Sequence, residues 1–141
     1  MLDEIDDLSL YDAVMRLSLQ WRASYRAEMS RRGFAWHLGA AGDLLDHVTA
    51  EPMSQTALTA ASGLTKQAVQ QLLDQLETQG VLTRVPDPAD RRAKRIALTP
   101  LGHSDRAART EVLNEIDAAS RDRLGKKSAK KLRKAVRALI D

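Results

Sequence analysis

"MSQTALTAASGLTKQAVQQLLDQLETQGVLTRVPDPADRRAKRIALTPLG", residues 53–102, decides the fold because its periodicity changes along its length. Apolar residues first recur at helical spacing, in "MSQTALTAAS" and again in "TKQAVQQLLDQLETQG", with Gly63-Leu64-Thr65 between the two helices. Ser54 and Thr65 are the expected N-caps, since a hydroxyl there accepts a bond from an unpaired first-turn amide. Gly80 is the expected stop of the second helix. The pattern then alternates through Val81, Thr83, Val85 and through Ile96, Leu98, predicting strands "VLTRV" and "KRIALT" joined by "PDPADRRA". That connection is too long for a two-residue hairpin turn. Thr99 followed by Pro100 reads as an N-cap with proline at the first helical position, opening a further helix.

At about 100° per residue, Val69, Leu72, Leu73 and Leu76 fall on one face of the second helix. Gln67, Gln71 and Thr78 lie nearly opposite, with Gln70 and Asp74 beside them. A glutamine amide offers a donor and an acceptor side by side, the pairing that adenine presents through N7 and N6 in the DNA major groove. The free amides near Thr65, Lys66 and Gln67 favour a phosphate. Taken alone, the helix reads equally well as a solvated face of good helix formers. Its context favours recognition: a short helix, a glycine turn, a second helix and a two-stranded hairpin make a winged helix-turn-helix. Arg91, Arg92, Lys94 and Arg95 surround the hairpin tip, two prolines stiffen it, and Asp90 is placed to pair locally with an arginine. An arginine on such a tip can enter a minor groove, where a narrow A·T tract concentrates negative potential.

Outward from this core, Leu10, Val14, Leu17 and Trp21 predict a first helix from about residue 8 until Gly33. "FAWHLGAAGDLLDHVTA" predicts a second helical segment with Gly39 and Gly42 inside it, each costing up to ~1 kcal/mol relative to alanine. Either another backbone packs closely there or the helix bends. Beyond Pro100 come a helix with Val112, Ile116 and Ala119 on one face, a break at "LGKKS", and a last helix striped by Leu132, Val136, Leu139 and Ile140. The run from Lys126 to Arg137 reads as a solvated basic face of that helix. The expected fold is mainly α with a small β-hairpin wing. Residues 1–33 are expected to form an N-terminal dimerisation helix, 34–100 a winged DNA-binding core and 101–141 C-terminal dimerisation helices. Flanking helices with unpartnered apolar stripes point to a two-fold homodimer, with an intramolecular bundle as the competing outcome. A dimer would place half-sites roughly 34–36 Å apart on the duplex.

With 141 residues, 43% of them hydrophobic, the chain is long enough to bury a core. Its formal charge of +3 permits a polyanionic partner without requiring one. The distribution is more telling: "MLDEIDD" holds four acids and no base, while Arg84, Arg91, Arg92, Lys94, Arg95, Arg106 and Arg109 crowd the middle of the chain. The absence of cysteine excludes disulfides, thiolate nucleophiles and thiolate metal sites. Neither a signal peptide nor an apolar run near the roughly 20 residues of a bilayer span is present, so a cytoplasmic protein without a membrane partner is expected. Asp43 and His47, four apart on one helical face with Asp46 nearby, come closest to a metal site but lack cysteine or a third clear ligand, so no metal and no cofactor are expected. The scattered histidines, with no nucleophile, paired-carboxylate or phosphate-loop motif, argue against an enzyme.

Through "LT", "LE..G", "DPADRR" and "LTPLG", in order and spacing, residues 53–102 resemble the MarR family of bacterial transcriptional regulators. The resemblance implies a homodimer on palindromic DNA, with Thr65, Lys66, Gln67, Gln70 and Gln71 at recognition-helix positions. Asp90 and Arg92 match the wing's D-x-R element, in which the arginine approaches the minor groove. Ser54, Gln55, Arg91 and Lys94 complete the candidate DNA-binding set. The resemblance also implies that a small, often aromatic, effector can bind, with Trp21, Tyr25, Trp36 and His37 as candidate contacts; packing is the competing role for these residues. Gly39 and Gly42 depart from the family's leucine-rich second helix. The expected function is a sequence-specific regulator of repressor type. A winged-helix protein-interaction module without DNA recognition is the alternative, distinguished by a lack of duplex binding.

Overall fold

A computed structural model of the chain describes residues 6–140. Its elements run α1 (Leu10–Arg31), a 3₁₀ turn (Ala35–Leu38), α2 (Ala40–Leu45), β1 (Met53–Ser54), α3 (Gln55–Ser62) and α4 (Lys66–Thr78). They continue with β2 (Leu82–Pro86), β3 (Lys94–Leu98), α5 (Pro100–Leu124) and α6 (Lys126–Leu139). The chain forms two compact units: residues 26–109, and the segments up to Tyr25 and from Thr110 onward. Among the described residues, no helix is long and apolar enough to cross a membrane.

The unit of residues 26–109 is organised around α4. Val69, Leu73 and Leu76, at i, i+4 and i+7, are fully buried and meet Leu44, Leu58 and Ile96 in one core. α4 closes with a Schellman motif, in which the Gly80 amide donates to Glu77 O and the Val81 amide to Leu76 O, both at 3.0 Å. Gly80 makes this possible by adopting φ 77°, and the motif turns Val81 into the core. Val81 and Leu82 are therefore both buried, where strict alternation would have exposed one of them.

The sheet has three antiparallel strands in the order β1-β3-β2. The hairpin places Leu82 opposite Leu98 and Arg84 opposite Ile96. β1 adds Met53 opposite Ile96 on the other edge of β3. Its two residues are too short a stretch to carry a periodic signal, which is why the sequence shows only a hairpin.

Both anticipated consequences of Gly39 and Gly42 occur. Gly39 is extended, at φ −141° and ψ −169°, and breaks the segment into the 3₁₀ turn and α2. A Cβ on Gly42 would lie 2.5 Å from His37 Cα and 2.8 Å from Trp36 O, so the turn folds directly onto the helix backbone. Behind it, Asp105 Oδ2 accepts the Trp36 indole N–H and pairs with His37 Nε2, each at 2.7 Å. His37 and Asp105 are 1% and 2% exposed. Thr99 fixes the start of α5 as its sequence suggests, accepting the Gly102 amide at 3.2 Å while its hydroxyl donates to Gly80 O at 2.6 Å.

In the second unit, Ser9 caps α1 by accepting the Asp12 amide at 3.1 Å. Gly125, at φ 81°, separates α5 from α6 where "LGKKS" predicts a break. Arg133 of α6 reaches Asp117 of α5 at 3.2 Å. Leu10, Val14 and Leu139 of the predicted stripes are 72%, 53% and 76% exposed. In a single copy these stripes are uncovered.

Candidate nucleic-acid interface

α3 and α4 form the helix-turn-helix. Ser54 Oγ accepts the Ala57 amide at 3.0 Å, Gly63 turns the chain at φ 67°, and Thr65 Oγ1 accepts the Ala68 amide at 3.1 Å. Both sequence-expected caps are thus made. Because Thr65 stops the chain short of helical geometry, Lys66 and Gln67 occupy the first turn, whose amides have no acceptor within the helix. Ser54 and Gln55 are half-buried at the start of α3.

With Val69, Leu73 and Leu76 committed to the core, Gln67, Gln70, Gln71, Gln75 and Gln79 all emerge on the exposed side of α4. The amide row is a free surface in this copy. A row of paired donors and acceptors on a straight helix can hydrogen-bond base edges, which a charged row of one sign would do only for complementary groups.

The wing tip is braced by its two aspartates. Asp87 Oδ1 accepts the Ala89 amide at 2.9 Å and Asp90 Oδ1 accepts the Arg92 amide at 3.0 Å. The Asp87 amide also donates to Ala93 O and the Ala93 amide to Asp90 O, each at 3.0 Å, closing the loop on itself. Asp90 therefore holds the arginine through its backbone, where the sequence suggested a side-chain pair. Among the described residues, Arg91, Arg92 and Lys94 are exposed and form no ion pair. The tip offers its guanidinium groups to solvent with their charge unspent.

Arg84 behaves differently from the rest of the basic cluster. From β2 its guanidinium meets Asp74 and lies 3.3 Å from Glu77 Oε1, both on α4, while its own amide donates to Glu77 Oε2 at 3.0 Å. The bond from Arg84 holds the Glu77 carboxyl below its ordinary range. Arg84 offsets the negative charge that these acids give α4 and ties the wing to that helix. The clamp is invisible in the sequence because it joins a helix to a strand. Its only signal is that acids at Asp74 and Glu77 precede a lone arginine within ten residues. Arg106 and Arg109 are also engaged internally, with Val48 O at 3.1 Å and with Asp46 at 3.2 Å.

The candidate effector contacts divide between the units. Trp21 and Tyr25 belong to the unit of terminal segments, with Tyr25 buried, while Trp36 and His37 belong to residues 26–109 and are both bonded to Asp105. Asp43, considered for a metal, is bound by Arg26 at 2.5 Å, and among the described residues no three metal-ligating groups gather.

The sequence model of the MarR family matches residues 38–93, which hold α2 through the wing tip. Similar solved structures cover nearly the whole chain. A transcriptional regulator from Thermotoga maritima, 26% identical, covers 92% of this chain and 90% of its own with a TM-score of 0.63. Apo MarR from E. coli is 17% identical, with coverages of 95% and 98% and a TM-score of 0.77. A mutant MarR from E. coli complexed with operator DNA is 16% identical, with coverages of 94% and 94% and a TM-score of 0.75. No curated protein sequence matches the chain.

Proposed function

Since the chain is a winged-helix transcriptional regulator of the MarR family, we propose that it binds double-stranded DNA sequence-specifically, as a homodimer on an inverted repeat, and represses transcription there. The observation that carries this reading is the exposed glutamine row of α4 beside a wing whose Arg91 and Arg92 are unpaired. Gln67, Gln70 and Gln71 read base edges, Thr65 and Lys66 hold a phosphate at the helix N-terminus, and Arg92 enters the minor groove. Ser54 and Gln55 approach the backbone from α3. The likeness to a structure solved with operator DNA supports the geometry. The exposed apolar stripes of the terminal segments supply the surface for the two-fold contact. Release from DNA by a small aromatic effector completes the proposal.

The test is selection of bound sequences from a random duplex pool, repeated with variants. Gln67→Ala and Gln71→Ala are expected to change base preference, and Arg92→Ala to weaken binding to all sequences alike. Equal binding to every duplex, or affinity indifferent to salt, would refute sequence-specific recognition.

A further inference from the structure

The helix-turn-helix is built almost without positive charge. Residues 54–79 contain no arginine and a single lysine, Lys66, which opens α4 beside its Thr65 cap. Arginine or lysine gripping guanine O6 and N7 is the commonest base-specific contact in a major groove, so this face is poor in guanine readers. Acids, which accept from the cytosine amino group, number two in the same stretch: Asp74 and Glu77. Asp74 stands seven positions after Gln67 and three after Gln71, and therefore shares their side of the helix.

Arg84 engages both acids. Its guanidinium meets Asp74 Oδ1 and lies 3.3 Å from Glu77 Oε1, while the Asp74 side chain stays 65% exposed. What remains on this side of α4 is amide. Gln67, Gln70 and Gln71 are exposed, and among the described residues no hydrogen bond engages their side chains. An amide matches adenine, whose N7 accepts and whose N6 donates. Guanine in the same place presents two acceptors, so the amide oxygen would face O6, a group of like polarity. Gln67 and Gln71 are separated by about 6 Å of axial rise, close to two base steps of about 3.4 Å.

We infer that α4 selects adenines: Gln67 and Gln71 each grip one, two base pairs apart in the half-site, and Arg84 is the positioning residue that keeps the face adenine-selective by withholding Asp74 from cytosine. The inference rests on the sequence-specific DNA reading above and names the bases which that reading leaves open. Asp74 lies about 4.5 Å along the axis from Gln71, so the pair it is kept from is the one next to the Gln71 adenine. The clamp between wing and helix thus sets base choice as well as wing position.

The test selects bound sequences from a random duplex pool with the full-length chain. Affinity is then measured for the consensus duplex carrying 7-deazaadenine, which lacks the N7 acceptor, at one adenine at a time. Two adenines two base pairs apart are expected in the half-site, and the analogue at either is expected to weaken binding about tenfold. Gln67→Ala should be indifferent to the analogue at one of them and Gln71→Ala at the other. In Arg84→Ala, affinity for a duplex with cytosine next to the Gln71 adenine, divided by affinity for the consensus, is expected to rise about tenfold, and adding Asp74→Ala to abolish the rise. That ratio is insensitive to a loosened wing, which weakens both duplexes alike. A consensus without the adenine pair, or an unsubstituted chain indifferent to the analogue, would overturn the inference while leaving sequence-specific reading intact; a pool with no enriched sequence would remove that reading itself. A consensus cytosine beside the Gln71 adenine, or an unchanged ratio in Arg84→Ala, would overturn the role given to Arg84.

Discussion

His37 Nε2 lies 2.7 Å from Asp105 Oδ2, with both side chains withdrawn from solvent. The same carboxylate oxygen accepts the Trp36 indole N–H at 2.7 Å. One buried acid thereby fixes the turn before α2 to the first turns of α5. Asp105→Ala would remove the acceptor of the half-buried Trp36 indole N–H and the partner of the buried His37 ring, and is expected to cost about 1–3 kcal/mol in urea unfolding. Asp105→Asn, which keeps one acceptor, is expected to cost less. Equal, small effects of both variants would show that the contact contributes little.

Gly39 and Gly42 are expected to respond oppositely to the same substitution. Gly42→Ala drives a methyl group into the His37 and Trp36 backbone and should destabilise by about 1–3 kcal/mol. Gly39 has an extended backbone, and a Cβ added there would meet nothing within 4 Å, so Gly39→Ala should fall within about 0.5 kcal/mol of the original. Thermal melts of the two variants check the contrast.

Arg84 and Arg92 are expected to separate in a salt titration of duplex binding. Arg92→Ala removes a phosphate-seeking cation and should flatten the log–log salt slope by about 0.9. Arg84→Ala releases the wing from Asp74 and Glu77, lowering affinity about tenfold while leaving that slope nearly unchanged. A slope reduced equally by both would place Arg84 on the DNA.

Glu28 should make a small, acid-sensitive contribution to stability. Arg31, and then Arg32, hold its carboxyl at about 2 against an ordinary 4.5. The folded value lies below the unfolded one, so the contribution is complete above pH 4.5 and disappears as pH falls toward 2. Melts of Glu28→Gln against the unsubstituted chain should differ by a constant amount near neutrality and converge in acid. A difference that grows on acidification would contradict the assignment.

Features carried by near neighbours were legible in the sequence. The caps at Ser54 and Thr65 span three residues, and the α4 stripe repeats within two turns, so local spacing encodes both. The exposed glutamine row follows from that stripe by subtraction. The wing was legible as a hairpin, but its third strand, two residues long, gains its identity only by pairing with β3. The polar ties were hidden for the same reason: Arg84 meets Asp74 ten positions back, and His37 meets Asp105 sixty-eight positions on. Reading the middle of the chain as one basic cluster therefore overstated its free charge, because Arg84, Arg106 and Arg109 are engaged inside the protein.

The long sequence separation between His37 and Asp105 bears on how the protein matures on the ribosome. Synthesis delivers the sheet, α4 and both of its caps before the acid that secures the aromatic turn. A nascent chain extruded only as far as Leu98 would lack the carboxylate that ties the His37 imidazole and the Trp36 indole together, a connection made only when the next helix emerges. Synthesis of α5 is thus the step that supplies the Asp105 side of this tie.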